Sequence, residues 1–254
     1  MRFKLAVLGV VLFLSGIGMA AQADMTGVYR LTDDKQKDAG TLTIQLRDAQ
    51  HVRYEFSGKK PDESGALLLV KDKLYAITPQ GEVMDMALVA SLAGALGGVQ
   101  AKPAPKASFS LDATGQKETV AGLQGEVYRF RDGTHAGEVV LSQDPRAQQL
   151  SQAMERIGEH MEKSMGNAQA TASFREMREH PALRDKGIVR SKEDKGSSMR
   201  LDSIQPAPLA DALFVLPKKA NAAALPGLPN GLPNMNDPQI QMLMKEMMKQ
   251  QQGR

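Results

Sequence analysis

The chain has 254 residues, a formal net charge of +3, no cysteine, no tryptophan and only 4% aromatic residues. Thiol chemistry and disulfide staples are thereby excluded, and the near-neutral balance lacks the basic footprint of a nucleic-acid binder. Stability must come from an aliphatic core in which the 15 methionines act as adaptable fillers, and the length is ample to build one.

Arg2 and Lys4 precede an apolar run from Leu5 to Ile17, and Ala21-Gln22-Ala23 follows before Asp24. This is the layout of a cleavable secretory signal, so residues 1–23 are set apart from the fold, and export to the periplasm with cleavage after Ala23 is expected. Loss of Arg2 and Lys4 leaves a charge of +1. The competing reading, a membrane anchor, calls for about 20 apolar residues, which this run does not reach. No integral membrane segment is expected after cleavage.

Residues 24–217 read as one domain. Met25 to Leu31 opens it as a strand, and Thr41 to Arg47 alternates, with Leu42, Ile44 and Leu46 on one face and Thr41, Thr43, Gln45 and Arg47 on the other. Val52, Tyr54 and Phe56 repeat the pattern. Ala66 to Val70 and Leu74 to Ile77, on either side of Lys71-Asp72-Lys73, form a hairpin. Connections this short imply an antiparallel meander. Val83 to Leu96 is apolar nearly all round and too short to span a bilayer, which predicts a helix that is either buried or laid over an apolar opening. Gly97-Gly98 and Lys102-Pro103-Ala104-Pro105 end it.

Strand resumes at Ser108 to Leu111, with a turn expected at Ala113-Thr114-Gly115 and a further strand over Lys117 to Val120. Gly125 to Pro145 is the organising stretch. Two runs rich in Val, Tyr and Phe flank Asp132-Gly133, a hairpin turn, and the second ends in Asp144-Pro145, which can cap and start a helix. In that helix Leu150, Ala153, Met154, Ile157, Met161 and Met165 recur at three- and four-residue steps, the stripe of an amphipathic helix lying on a sheet. A second helical piece around Phe174 to Glu179 ends at His180-Pro181. Gly187 to Ser191 and Ser198 to Ile204 are two more strands, and Leu213 to Pro217 closes the domain. Residues 218–238, rich in Pro, Gly and Asn, read as a flexible linker, and within residues 239–254 Ile240, Leu243, Met244, Met247 and Met248 share one face of a short tethered helix.

The meander, the apolar mid-chain helix, the Glu126-Val127-Tyr128 hairpin feeding a helix, Arg53-Tyr54-Glu55-Phe56 and the closing Leu213-Phe214-Val215-Leu216-Pro217 together resemble the periplasmic LolA-like and LppX-like half-barrel superfamily, and most of all an uncharacterised exported bacterial domain family within it. The resemblance covers Met25 to Pro217. It implies a mainly β, α+β fold: an incomplete antiparallel barrel with helices over a concave apolar face that holds acyl chains in some members. On that basis Met86, Leu88, Val89, Leu92 and Leu96 are candidate ligand contacts. The tail lies outside the resemblance.

No nucleophile stands beside a positioned base, no glycine loop suits a phosphate, and His51, His135, His160 and His180 are isolated and read as solvated, so no active site and no cofactor are assigned. Methionine thioethers are soft Cu(I) ligands, and Met235, Met242, Met244, Met247 and Met248, or His160 with Met161 and Met165, compose the copper alternative. Packing explains the same residues, because Met244, Met247 and Met248 share their stripe with Ile240 and Leu243. The expectation is a non-enzymatic periplasmic protein that binds a lipid, an acyl chain or an envelope protein partner through its concave face. The alternative is an assembly scaffold that works through Ile240, Leu243, Met244, Met247 and Met248 of the tail.

Overall fold

The computed structural model describes residues 24–35, 37–95, 109–133, 135–165, 179–194 and 196–217. The signal, the proline-rich loop, most of the second helical piece, the linker and the tail helix with its five candidate contacts lie outside the described residues. Six strands come first: β1 (Met25–Thr32), β2 (Asp38–Asp48), β3 (His51–Ser57), β4 (Gly65–Val70), β5 (Lys73–Ile77) and β6 (Val83–Asp85). Helix α1 (Met86–Ala95) follows, then β7 (Phe109–Val120), β8 (Leu123–Asp132), β9 (His135–Ser142), α2 (Pro145–Met165), β10 (Gly187–Glu193) and β11 (Ser198–Pro206). The strands form a single antiparallel sheet in the order β6-β5-β4-β3-β2-β1-β11-β10-β9-β8-β7. Two meanders thus meet where the first strand pairs with the last, and β6 and β7 are left as the edges of an incomplete barrel.

Period-two alternation fixes the register of the first meander. Met25, Leu46, Val52, Leu69 and Leu74 stand in one row across β1 to β5, and all five are buried. Gly27, Ile44, Tyr54, Leu67, Ala76 and Met84 form the next row out to β6. A slip of one residue would turn both rows to solvent, so the apolar pattern itself specifies the pairing. Two-residue turns with both central residues at positive φ close the β4–β5 and β7–β8 hairpins: Lys71 and Asp72 at 50° and 62°, and Ala121 and Gly122 at 50° and 77°.

Helix α2 fills the middle of the concave face. Asp144 caps it, its Oδ1 accepting from the Arg146 backbone N at 2.9 Å, with Pro145 in the first turn. Ala147, Leu150, Ala153 and Ile157 are buried against the sheet, and Met154 and Met161 flank them. Two glycines make room for this contact. A Cβ on Gly187 would collide with the backbone of Ala147, and one on Gly27 with the side chain of Leu150. Polar bonds complete the seat. The Ile188 backbone N donates to Ser151 Oγ at 2.7 Å, the Ile188 carbonyl accepts from the buried Tyr29 hydroxyl at 3.1 Å, and Gln148 Nε2 donates to the Asp185 carbonyl at 2.7 Å. Ile188 adjoins an irregularity in the β9–β10 pairing.

The outer face carries two smaller cores. Leu68, Ile77 and Val83 are covered by a 3-10 turn, Asp211–Phe214, whose Phe214 ring lies under the Arg47 guanidinium at 4.9 Å. Leu111, Tyr128, Val139 and Leu141 are covered by Ala182 and Leu183.

Two local expectations need correction. The stretch from Val83 was expected to be helical throughout, but Val83–Asp85 pairs with β5 as β6. The helix begins only at Met86, because Asp85 Oδ1 accepts from the backbone N of Ala87 at 2.9 Å and of Leu88 at 3.4 Å. The turn expected at Ala113-Thr114-Gly115 is instead a bulge inside a continuous β7. The register shifts between Ala113 and Lys117, Gly115 takes φ +75°, and Thr114 Oγ1 donates to the Val127 carbonyl at 2.7 Å.

Ser151→Ala strands the Ile188 amide between helix and sheet and should lower stability by about 1–3 kcal/mol in urea unfolding. Gln152→Ala, on the exposed side of the same turn, should change it by less than about 0.5 kcal/mol. Equal small effects would show that the helix is not held at this point.

Candidate functional site

Because α2 occupies the middle of the concave face, open volume remains at one end of it. A cavity of about 790 Å³ lies between α1, α2, the β2–β3 turn and the β4–β5 hairpin. That size is in the range of small-molecule sites. Leu69 and Leu74 form an apolar floor, continuous with the buried row on β1 to β5, and Ala87 and Ala90 of α1 form one wall. The opposite wall is basic, built from Arg156, His160 and Lys163 of α2, with Lys73 at the mouth of the hairpin.

Helical geometry explains this wall. Arg156, His160 and Lys163 are spaced i, i+4, i+7 and share a face turned by about 100° from the Leu150–Ala153–Ile157 stripe, so a helix that buries one face in the sheet presents the other to α1. These basic side chains are not tied up in ion pairs among the described residues. Arg156, His160, Lys163 and Lys73 make no ion pair or hydrogen bond among the described residues, and Arg156 Nη1 is sealed from solvent without a partner. Three acids also line the cavity: Asp85, which caps α1, Glu159, which has an interaction of its own, and Asp72 on the exposed hairpin turn.

The expected ligand contacts are only partly brought to this space. Met86 is half-buried and packs against the main core, Val89 is half-buried, and Leu88 is 42% exposed. Leu92 is on α1 but its side chain is outside the described residues, as is all of Leu96. The same helix lines the cavity through Ala87 and Ala90 instead. His160, taken from the sequence as solvated, stands on the cavity wall, while Met161 packs toward the core and the Met165 side chain is not described. Sequence reading passed over Arg156 and Lys163. The i, i+4, i+7 basic spacing beside the apolar stripe was the signal for them.

Other polar clusters serve the fold. Glu118 on the edge strand β7 holds Arg190 of β10 at 2.8 Å and Arg200 of β11 at 2.5 Å, and Arg190 also meets Glu138 at 3.2 Å. On a flat sheet β7 and β10 would be about 14 Å apart, so these bonds hold the second meander in a tight curl. Burial raises the Glu118 pKa, but the hydrogen bond from Arg200 and the charge of Arg190 outweigh it and hold the carboxyl below its ordinary value. Lys186 and Tyr128 likewise hold Glu126 low by hydrogen bonding. At the start of β1 the Leu209 amide lowers Asp24 against burial, with help from Arg47. Burial raises the phenols of Tyr29 and Tyr54, and the Tyr54 hydroxyl has no hydrogen-bond partner among the described residues.

No protein-family model matches the sequence, and no curated protein matches it. Solved structures do align. The chain is similar to an uncharacterized conserved protein from Thermus thermophilus at 11% identity and a TM-score of 0.41, over 78% of this chain and 88% of that one. It is similar to MucB at 14% identity and a TM-score of 0.36, over 76% of this chain and 57% of MucB, so that it spans a little over half of MucB's length. A Pseudomonas aeruginosa MucA/MucB complex aligns at 13% identity and a TM-score of 0.37, over 76% of this chain and 56% of that one. Among the described residues no helix is long and apolar enough to cross a membrane.

A carboxyl held low in the folded state contributes stability above its unfolded pKa and loses it as pH falls through the folded value. Stability should therefore drop as pH is lowered from about 5 toward 3, and Glu118→Gln should flatten that drop relative to the parent chain. Superimposable pH profiles of unfolding would show that the Glu118–Arg190–Arg200 cluster does not contribute.

Proposed function

We propose that the protein is a non-enzymatic, exported binding protein that holds an apolar ligand, a lipid or an acyl chain, in the cavity between α1, α2 and the β4–β5 hairpin. The observation that carries this reading is the cavity itself: about 790 Å³ floored by Leu69 and Leu74 and walled by Ala87 and Ala90. An apolar chain placed against that floor gains roughly 0.8 kcal/mol for each methylene removed from water. Helix α2 covers the concave face where it is seated on β1 and β10. Delivery to the periplasm rests on the signal-like residues 1–23.

Fluorescence titration of the mature chain with N-phenyl-1-naphthylamine, a neutral apolar probe, tests the reading. Saturable binding is expected, and Ala90→Phe, which fills the cavity, should weaken it at least tenfold while leaving the unfolding midpoint unchanged or higher. Binding unaffected by Ala90→Phe would place the ligand elsewhere, and a parent chain that does not bind would contradict the proposal.

A further inference from the structure

The basic wall has a consequence of its own. Arg156 is a guanidinium whose Nη1 is sealed from solvent and unpartnered beside an open cavity, on the same helix face as His160 and Lys163. The residue as a whole is half-buried and lines the cavity, with no ion pair among the described residues. Here the arginine lies at the junction of two surfaces, an apolar floor and a cationic wall. Lysine side chains at Lys73 and Lys163 extend the positive edge toward the mouth, without acidic partners among the described residues.

We propose that this wall is an oxyanion subsite and that the ligand is an anionic amphiphile, its carboxylate or phosphate held by Arg156 and its hydrocarbon laid along Leu69 and Leu74. The inference rests on the reading of the cavity as an apolar site and adds the ligand's charge. A guanidinium presents two parallel N–H donors that match a carboxylate or phosphate edge, which a lysine does not. Arg156 lines the cavity and makes no ion pair among the described residues, so an anion bound there supplies the opposite charge that the side chain lacks. His160 and Lys163 stand one and two turns further along α2, placed to meet a headgroup with more than one anionic oxygen. Asp85, which also lines the cavity, has its Oδ1 held by the first turn of α1.

Isothermal titration of the mature chain with decanoate, decyl phosphate, 1-decanol and inorganic phosphate tests this. The two anionic amphiphiles should bind at least tenfold more tightly than decanol, and inorganic phosphate alone should bind more weakly than decyl phosphate. Arg156→Leu should abolish the preference for anions and leave decanol affinity within about twofold. Its unfolding midpoint should be unchanged or higher, since the substitution removes a half-buried cation that makes no ion pair, and Arg156→Lys should recover part of the preference. Equal binding of decanol and decanoate would overturn the oxyanion subsite while leaving the apolar site standing. Failure of all three amphiphiles would overturn both readings. Inorganic phosphate as tight as decyl phosphate would show a small-anion site and contradict the amphiphile, and a lowered midpoint in Arg156→Leu would show that the guanidinium holds the fold and not a ligand.

Discussion

The structure depends on how one helix is seated. An open eleven-stranded sheet exposes a long apolar trough, and helix α2 closes its middle because two glycines leave space and one strand offers free backbone groups. Gly187 lets the helix backbone descend onto β10 at Ala147, and Gly27 receives Leu150. At Ile188, beside the irregular pairing, the N–H and the carbonyl turn to Ser151 and Tyr29. Buried backbone groups without partners are strongly unfavourable, so this crossing fixes the height and direction of α2 over the sheet. Everything functional in the present account follows from that direction. The apolar stripe faces down, Arg156, His160 and Lys163 line the cavity that α1 also walls, and that cavity lies at the end of the trough near the β4–β5 hairpin.

Charge on this molecule does two different things. Glu118, Arg190, Arg200 and Glu138 form a mutually satisfied network that draws edge strand β7 toward β10 and β11, and every member has an opposite charge within 3.2 Å. The basic side chains along the cavity are the reverse case, since they line open space without an ion pair among the described residues. The contrast is what singles out the wall on α2. Lys186, for example, is as shielded as many binding-site lysines, yet it is paired with Glu126 at 2.6 Å and bonded to Tyr128, which marks it as part of the fold.

Much of the architecture was legible because it rests on local periodicity. Thr41 to Arg47 declares its two faces by alternation, Asp132-Gly133 marks a hairpin, and Asp144-Pro145 marks the start of α2, all of which the structure contains. The errors lie where tertiary pairing decides. Val83 to Asp85 has too few residues to declare a strand and becomes one only because β5 offers an edge, and Thr114-Gly115 looks like a reversal until β8 is there to pair on both sides of it. The site was the least legible part. Gly27 meets Leu150, and Gly187 meets Ala147, across long stretches of sequence, so no local pattern marks them as notches. Arg156 reads as an ordinary solvated residue until α1 and the β4–β5 hairpin are placed over it.

The central claim is that α2 stays seated and confines the ligand to the end of the trough. Backbone amide chemical-shift mapping of the mature chain on titration with decyl phosphate addresses it most directly. Perturbations confined to Leu69 to Leu74, Ala87 to Ala90 and Arg156 to Lys163, with Gly27, Tyr29, Ile188 and Val189 unmoved, are the predicted result. Large shifts at Gly27, Ile188 and Val189 would show that the ligand displaces α2 and occupies the trough itself, and would contradict the account.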